Sequence, residues 1–230
     1  MKFLRVIEEG NQVAVDYSNE MTNSGNFMGI PATGKRIFAT GQFIREIKNG
    51  KVVAEWQTTN MYGMMVQLGV IPPPLNKDEV TKLEAAHCGN DTVKRAFLFS
   101  CYTGIRFCDI KVLKWENITS DNRVKIIQVK TKEPLDNLLI QKALDLLGDR
   151  GNDTQLVFPL PTGNGTNKNL KLWAEKAGLG KKITYHCSRH SFATNVFDST
   201  RDILTTSKAL GHKSIKENQR YIRVPQTTGD

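Results

Sequence analysis

Thiols are scarce in this 230-residue chain: Cys88, Cys101, Cys108 and Cys187 are all it has, and no two form a CxxC pair. That argues against a disulfide framework and against a structural zinc site, and it fits a reducing, cytoplasmic setting. No apolar run approaches the roughly 20 residues needed to cross a bilayer, so no membrane span is expected. The opening residues, MKFLRVIEEGNQ, lack the long apolar stretch and cleavage site of a secretory signal. Internal repeats and low-complexity tracts are absent as well.

What the chain does have is positive charge, unevenly placed. Lys and Arg number 32 against 23 Asp and Glu, a formal net of +9. Residues 1–74 hold 7 of the cations and 6 of the anions, which leaves 25 against 17, a net of +8, for residues 75–230. A basic excess concentrated in one segment points to a polyanionic partner, and nucleic acid is the commonest.

Pro72, Pro73 and Pro74 divide the chain. No helix runs through three prolines, and their fixed φ favours an extended spacer. Three parts are therefore expected: a β-rich segment at 1–72, a proline linker at 73–75, and a mainly helical part at 76–230. In the first part NQVAVDYS, KRIFATGQFIREI and KVVAEW read as strands, with Asn49-Gly50 a strong hairpin signal and MYGMMVQLG a short helix. In the last part Asn76 and Glu79 form a capping box that opens a helix to about Ala86. Further helices are expected over TVKRAFLFSCYT with Asp91 as cap, and at about 107–114, 141–147, 167–177, 187–197, 201–210 and 214–222. VKIIQVKTKEPLDNLLI between them reads as a β-hairpin.

Within this basic part stands a set of side chains suited to one phosphodiester. Phosphoryl transfer needs cationic hydrogen-bond donors around the charged oxygens and a nucleophile in line with the leaving group. Arg106 in TGIRFCDI begins a helix, with Asp109 one helical step on to orient its guanidinium. Lys130 sits at a hairpin tip from which a flexible amine reaches a leaving hydroxyl, and Lys132 competes for that role. His186 and Arg189 in HCSRH share a helical face, with His190 turned partly away. His212 follows the helix stop Leu210-Gly211, and Tyr221 comes nine positions later. Neighbouring cations favour its phenolate and so activate a weak nucleophile. No further His, Cys or carboxylate set accompanies these residues, so neither metal nor cofactor is expected.

Taken together, TGIRFCDI, the VKT turn, HCSRHSFAT and LGHKSI…RY resemble the catalytic domain of tyrosine recombinases of the phage-integrase type, from about Leu75 to Val224. The resemblance implies an α+β fold, mainly helical with a small β-hairpin. It implies that Arg106 and Arg189 clamp the non-bridging oxygens of the scissile phosphate, that Lys130 protonates the departing 5′-hydroxyl, and that His186 assists proton transfer. It also implies that His212 donates to the phosphate, that Tyr221 forms a 3′-phosphotyrosyl link, and that Asp109 and His190 buttress the site. Double-stranded DNA is then the partner, with self-association into a tetrameric synapse on it. Two departures accompany the resemblance. The helical core-binding domain that closes a clamp on DNA in such enzymes is not recognisable in residues 1–74, so weakened binding is expected. The short tail IRVPQTTGD makes tail exchange between protomers doubtful.

Residues 1–72 are similar to something else. GNFMGIPATGKRIFATGQFIREIKNGKVVAEW and QLGVIPP resemble the C-terminal half of SnoaL-like polyketide cyclases, which implies part of a cone-like α+β antiparallel sheet. The resemblance puts an acid/base aspartate four residues after the tryptophan. Here Asn60 holds that offset from Trp56, and an amide does not exchange a proton near neutral pH, so cyclase activity is not expected. A partial sheet should leave open edges and exposed apolar surface, a route to self-association. The leading expectation is thus a site-specific DNA strand transferase. Its rivals are a non-catalytic DNA-binding remnant, a small-molecule-binding cone-fold protein, and a type IB topoisomerase with the same phosphate chemistry.

Overall fold

The computed structural model describes residues 1–200 and 202–211, with backbone alone at Ile203. It forms one compact unit over Met1–Ile71 and another that begins at Pro72. The architecture is α+β, as expected.

The first unit is an antiparallel sheet in sequence order, β1 (Lys2–Glu9), β2 (Gln12–Thr22), β3 (Arg36–Lys48) and β4 (Lys51–Thr59). Asn49 and Gly50 both have positive φ, 52° and 72°, the combination a tight turn between β3 and β4 requires. Strand β1 went unread in the sequence because KFLRVIEE clusters its apolar residues instead of alternating them. It pairs β2 through an irregularity between Phe3 and Arg5. Helix α1 (Met61–Leu68) sets Met64 and Leu68 on Ile37 and Ala39 of β3. Phe3, Leu4, Val6 and Ile7 of β1 and Val52, Val53 and Trp56 of β4 are exposed. Among the described residues β1 and β4 each pair with a single strand, so the expected open edges and apolar exposure are both present there.

The second unit holds α2 (Lys77–Ala85), α3 (Asp91–Thr103), α4 (Phe107–Ile110), β5 (Arg123–Ile127), β6 (Pro134–Leu138), α5 (Gln141–Asp145), α6 (Gly163–Lys176), α7 (Tyr185–Thr200) and α8 (Ile203–Leu210). The second half of α3, AFLFSC, is buried on every side, as its nearly continuous apolar run predicts. Along the helix Val93, Ala96, Phe97, Leu98, Phe99 and Cys101 are all buried. Phe97 meets Trp173 of α6 and Tyr185 of α7 edge-on, at centroid distances of 5.8 and 5.6 Å. Burial of such a ring contributes about 1.5–3 kcal/mol. The Asn76/Glu79 capping box forms in both directions at 2.8 Å.

Several boundaries differ from the sequence reading, each for a local reason. Helix α4 stops at Ile110 instead of reaching Lys114, because the following backbone finds partners elsewhere. Lys114 bridges to Leu156, and the Trp115 N–H donates to the Gln155 carbonyl at 3.1 Å. Helix α6 starts four residues before Asn167: the Thr162 hydroxyl caps it, and two glycines in its first turn hid it from propensity. Asn90, not Asp91, caps α3. The proline run is no free spacer. Pro74 and Leu75 are buried in the second unit, the Pro74 carbonyl accepts from Lys181 Nζ at 2.8 Å, and the Leu75 N–H donates to Ser191 Oγ at 2.7 Å. That N–H is the first backbone donor after three prolines, and it is used at once. The helix expected at 214–222 lies outside the described residues.

Candidate active site

Helix α3 ends at Gly104 in the left-handed conformation, φ 70°, and the chain turns through buried Ile105 to Arg106. A serine relay fixes the peptide just before Arg106. Ser188 Oγ of α7 donates to Ser100 Oγ, and Ser100 Oγ donates to the Ile105 carbonyl, both at 2.7 Å. Arg106 is half-buried, and its guanidinium donates to Gln128 Oε1. Among the described residues no carboxylate pairs with it. A neutral amide thus orients Arg106 and leaves its charge uncancelled. Asp109 does not take the expected place against the guanidinium. It is 2% exposed, and its Oδ1 accepts from the Val129 N–H at 2.7 Å, so it braces the hairpin instead. With α4 only one turn long, its start adds little attraction for an anion at Arg106.

The hairpin between β5 and β6 forms as expected, although β5 ends at Ile127 and Lys130 lies in the turn proper. Gln128 closes that turn: its N–H donates to the Glu133 carbonyl and its carbonyl accepts from the Lys132 N–H, both at 2.9 Å. Lys130 and Lys132 are exposed there, Lys132 with a φ of 59°.

On α7, His186 is exposed while Arg189 and His190 are only 5% and 3% exposed. The two histidine rings meet edge-on, 4.4 Å between centroids, so His190 packs behind His186 instead of turning away. Arg189 donates from Nη1 to the Gly104 carbonyl at 2.5 Å and from Nη2 to the Leu210 carbonyl at 3.0 Å. The last carbonyls of a helix have no intrahelical partner and favour a cation. At the end of α8 three side chains supply donors: Asn137 to Ala209, Arg189 to Leu210, and Gln128 to Gly211. The structure thereby brings Arg106, Asp109, Arg189 and the base of the Lys130 hairpin to one corner. That corner ends at Gly211, immediately before His212 in the sequence. His212 and Tyr221 lie outside the described residues.

Three other described nucleophiles, Cys108, Tyr185 and Tyr102, are unsuited. Burial, then the Asp109 carboxylate, pushes the Cys108 thiol up, with Arg106 pulling the other way, so it stays protonated near neutral pH. Tyr185 donates its hydroxyl to the Ala96 carbonyl at 2.6 Å, and Tyr102 donates to Glu84. In the first unit, Asn60 at the cyclase offset is spent as the cap of α1, accepting from the Gly63 N–H at 2.8 Å. Among the described residues no helix is long and apolar enough to cross a membrane.

Comparison with known sequences decides the family. The model of the phage integrase family matches residues 74–227, more than half of the chain. This chain belongs to the phage integrase family. A second model, that of SnoaL-like polyketide cyclases, matches residues 1–68. Both resemblances read from the sequence are borne out. Among relatives of this integrase-family chain, tyrosine recombinase XerC of Chromobacterium violaceum is 30% identical over 135 residues, which cover 54% of this chain and 44% of that protein. The crystal structure of XerA recombinase matches with a TM-score of 0.57 at 22% identity, covering 70% of this chain and 64% of that one. XerH site-specific recombinase, solved bound to difH substrate as a pre-cleavage complex, matches with a TM-score of 0.55 at 21% identity, covering 67% and 52%. These solved structures show a shared fold. The integrase-family chain spans about half the length of the curated relatives it matches.

Sequence reasoning overlooked Gln128, Ser100, Ser188 and Asn137, which hold the arginines and the α8 terminus in place. Polar residues inside otherwise apolar runs, as Gln128 is after VKII and Ser100 within AFLFSCY, were the available signal, because a buried polar group needs partners.

Proposed function

We propose that this chain carries the catalytic part of a site-specific DNA recombinase that cleaves and rejoins strands through a 3′-phosphotyrosyl intermediate. One observation supports it above the rest: the networks of two distant arginines end on adjacent carbonyls. Arg189 reaches Leu210 directly, and Arg106 reaches Gly211 through Gln128. Two guanidinium groups brought to one corner are suited to the non-bridging oxygens of one phosphodiester.

In this reading the Tyr221 phenolic oxygen attacks the phosphorus, and the phenol gives up its proton with help from His186. The Tyr221 O–P bond forms as the bond to the 5′-oxygen breaks. Lys130, exposed at the hairpin tip, gives that oxygen a proton, and His212 donates to a phosphate oxygen. A second 5′-hydroxyl reverses the step, so no external energy source is needed. Arg106 and Arg189 act where charge grows, and each is assigned about 10²–10³-fold in rate. Asp109 and His190 are supporting residues that hold the hairpin base and His186. The proposed partner is double-stranded DNA, bound by several copies of the chain together.

The test is covalent capture. The full chain is incubated with nicked duplexes carrying randomised arms, and adducts are isolated and digested. A DNA-bearing peptide containing Tyr221 is the expected product. Salt-dependent binding without any adduct favours a non-catalytic DNA-binding protein instead, and a link at another residue overturns the assignment.

A further inference from the structure

The geometry points to Gln128 as a positioning residue that locks Arg106, the Lys130 hairpin and the Leu210–Gly211 corner into one unit; the inference rests on the recombinase reading. Gln128 is 1% exposed, and a buried amide persists only where both its donor and its acceptor are used. Here they are used on different motifs. Oε1 accepts from Arg106, and Nε2 donates to the Gly211 carbonyl at 3.1 Å. Its own backbone closes the turn that carries Lys130. Gly211 is fitted to it: a Cβ there, besides being strained at a φ of 61°, would lie 2.5 Å from Nε2 and 3.0 Å from Leu135 Cδ1. Glycine is what lets the amide reach the backbone.

The residue type matters as much as the place. A glutamine amide offers an acceptor to the arginine and, on a separate atom, a donor to the carbonyl, without carrying charge. Glutamate would still hold Arg106, but it would cancel the charge the phosphate needs and would turn an acceptor toward the Gly211 carbonyl. Methionine would fill the space and bond neither. Because one side chain joins these elements, a shift of the hairpin is transmitted to Arg106 and to the segment leading into His212. Sub-ångström registration of the phosphate clamp with the proton donor is the expected consequence, and a misplacement of about 1 Å costs on the order of 10²-fold in rate.

The experiment compares wild type with Gln128→Met and Gln128→Glu, each as the full chain, on duplexes selected by covalent capture. Both variants should bind DNA within a few-fold of wild type, while single-turnover adduct formation slows by roughly 10²-fold, with Gln128→Glu the slower. A residue that only supports folding would instead lower the reacting fraction and leave the rate of the surviving fraction unchanged. That outcome, or wild-type rates in Gln128→Met, overturns the inference. Hydrogen exchange supplies an arm that needs no activity: Gln128→Met should lose amide protection across 204–211. Should wild type itself form no adduct, the recombinase reading fails on its own. Exchange then decides the coupling, and unchanged protection in Gln128→Met overturns it.

Discussion

Arg106→Ala and Arg189→Ala should both cripple strand cleavage, but only Arg189→Ala should also unfold the protein readily. Arg189 is buried and donates to the carbonyls of Gly104 and Leu210. Its removal strands two buried acceptors and leaves a void, a combined cost of about 2–5 kcal/mol. Arg106 is half-buried, and its removal strands one buried acceptor, Gln128 Oε1, while Nε2 still bonds Gly211, so about 1–2 kcal/mol is expected. In single-turnover cleavage each variant should lose on the order of 10²–10³-fold, since each removes a pre-positioned donor from the developing charge. Denaturant unfolding beside cleavage kinetics separates the two effects. Equal stability losses, or an Arg106→Ala enzyme that cleaves normally, would contradict the roles assigned here.

Gly104→Ala should be the most destabilising small substitution in the second unit. The left-handed φ of 70° costs a residue with Cβ about 1–2 kcal/mol. The new methyl would also sit 2.4 Å from Cδ1 of the Phe192 ring, an overpacking worth about 1–3 kcal/mol more. Because Gly104 supplies the carbonyl that anchors Arg189, the damage reaches the site as well as the fold. A double-mutant cycle with Phe192→Ala isolates the contact. In that background Gly104→Ala should cost only its backbone share, about 1–2 kcal/mol. An undiminished penalty there would show that the ring is not what excludes the methyl.

The parts of the fold legible in the sequence were those with local signals. The Asn76/Glu79 box, the Asn49-Gly50 turn and the Gly211 stop each concern a few adjacent residues, and each is where it was expected. Strand β1 was missed because its pattern makes sense only against the partner strand β2. Helix α4 was overextended because the pull on Lys114 and Trp115 comes from residues about 40 positions away. The site divides the same way. Residue types bearing charge, ring nitrogens or a phenol could be picked out one by one, and Arg106, Arg189 and the hairpin do converge. The partners could not be read, since Gln128 pairs with Arg106 across 22 positions and with Gly211 across 83. Asp109 illustrates the limit: spacing aimed it at Arg106, whereas tertiary packing gives it to the Val129 N–H.

The central physical claim is that Arg106 and Arg189 act by charge on the oxygens of one scissile phosphate. Replacing one non-bridging oxygen of that phosphate by a methyl group removes its charge and leaves the rest of the duplex unchanged. On this methylphosphonate substrate, Arg106→Ala and Arg189→Ala should cleave within about 10-fold of the wild-type rate, against a deficit of 10²–10³-fold on the natural linkage. The same deficit on both substrates would mean that the arginines do not meet that phosphate.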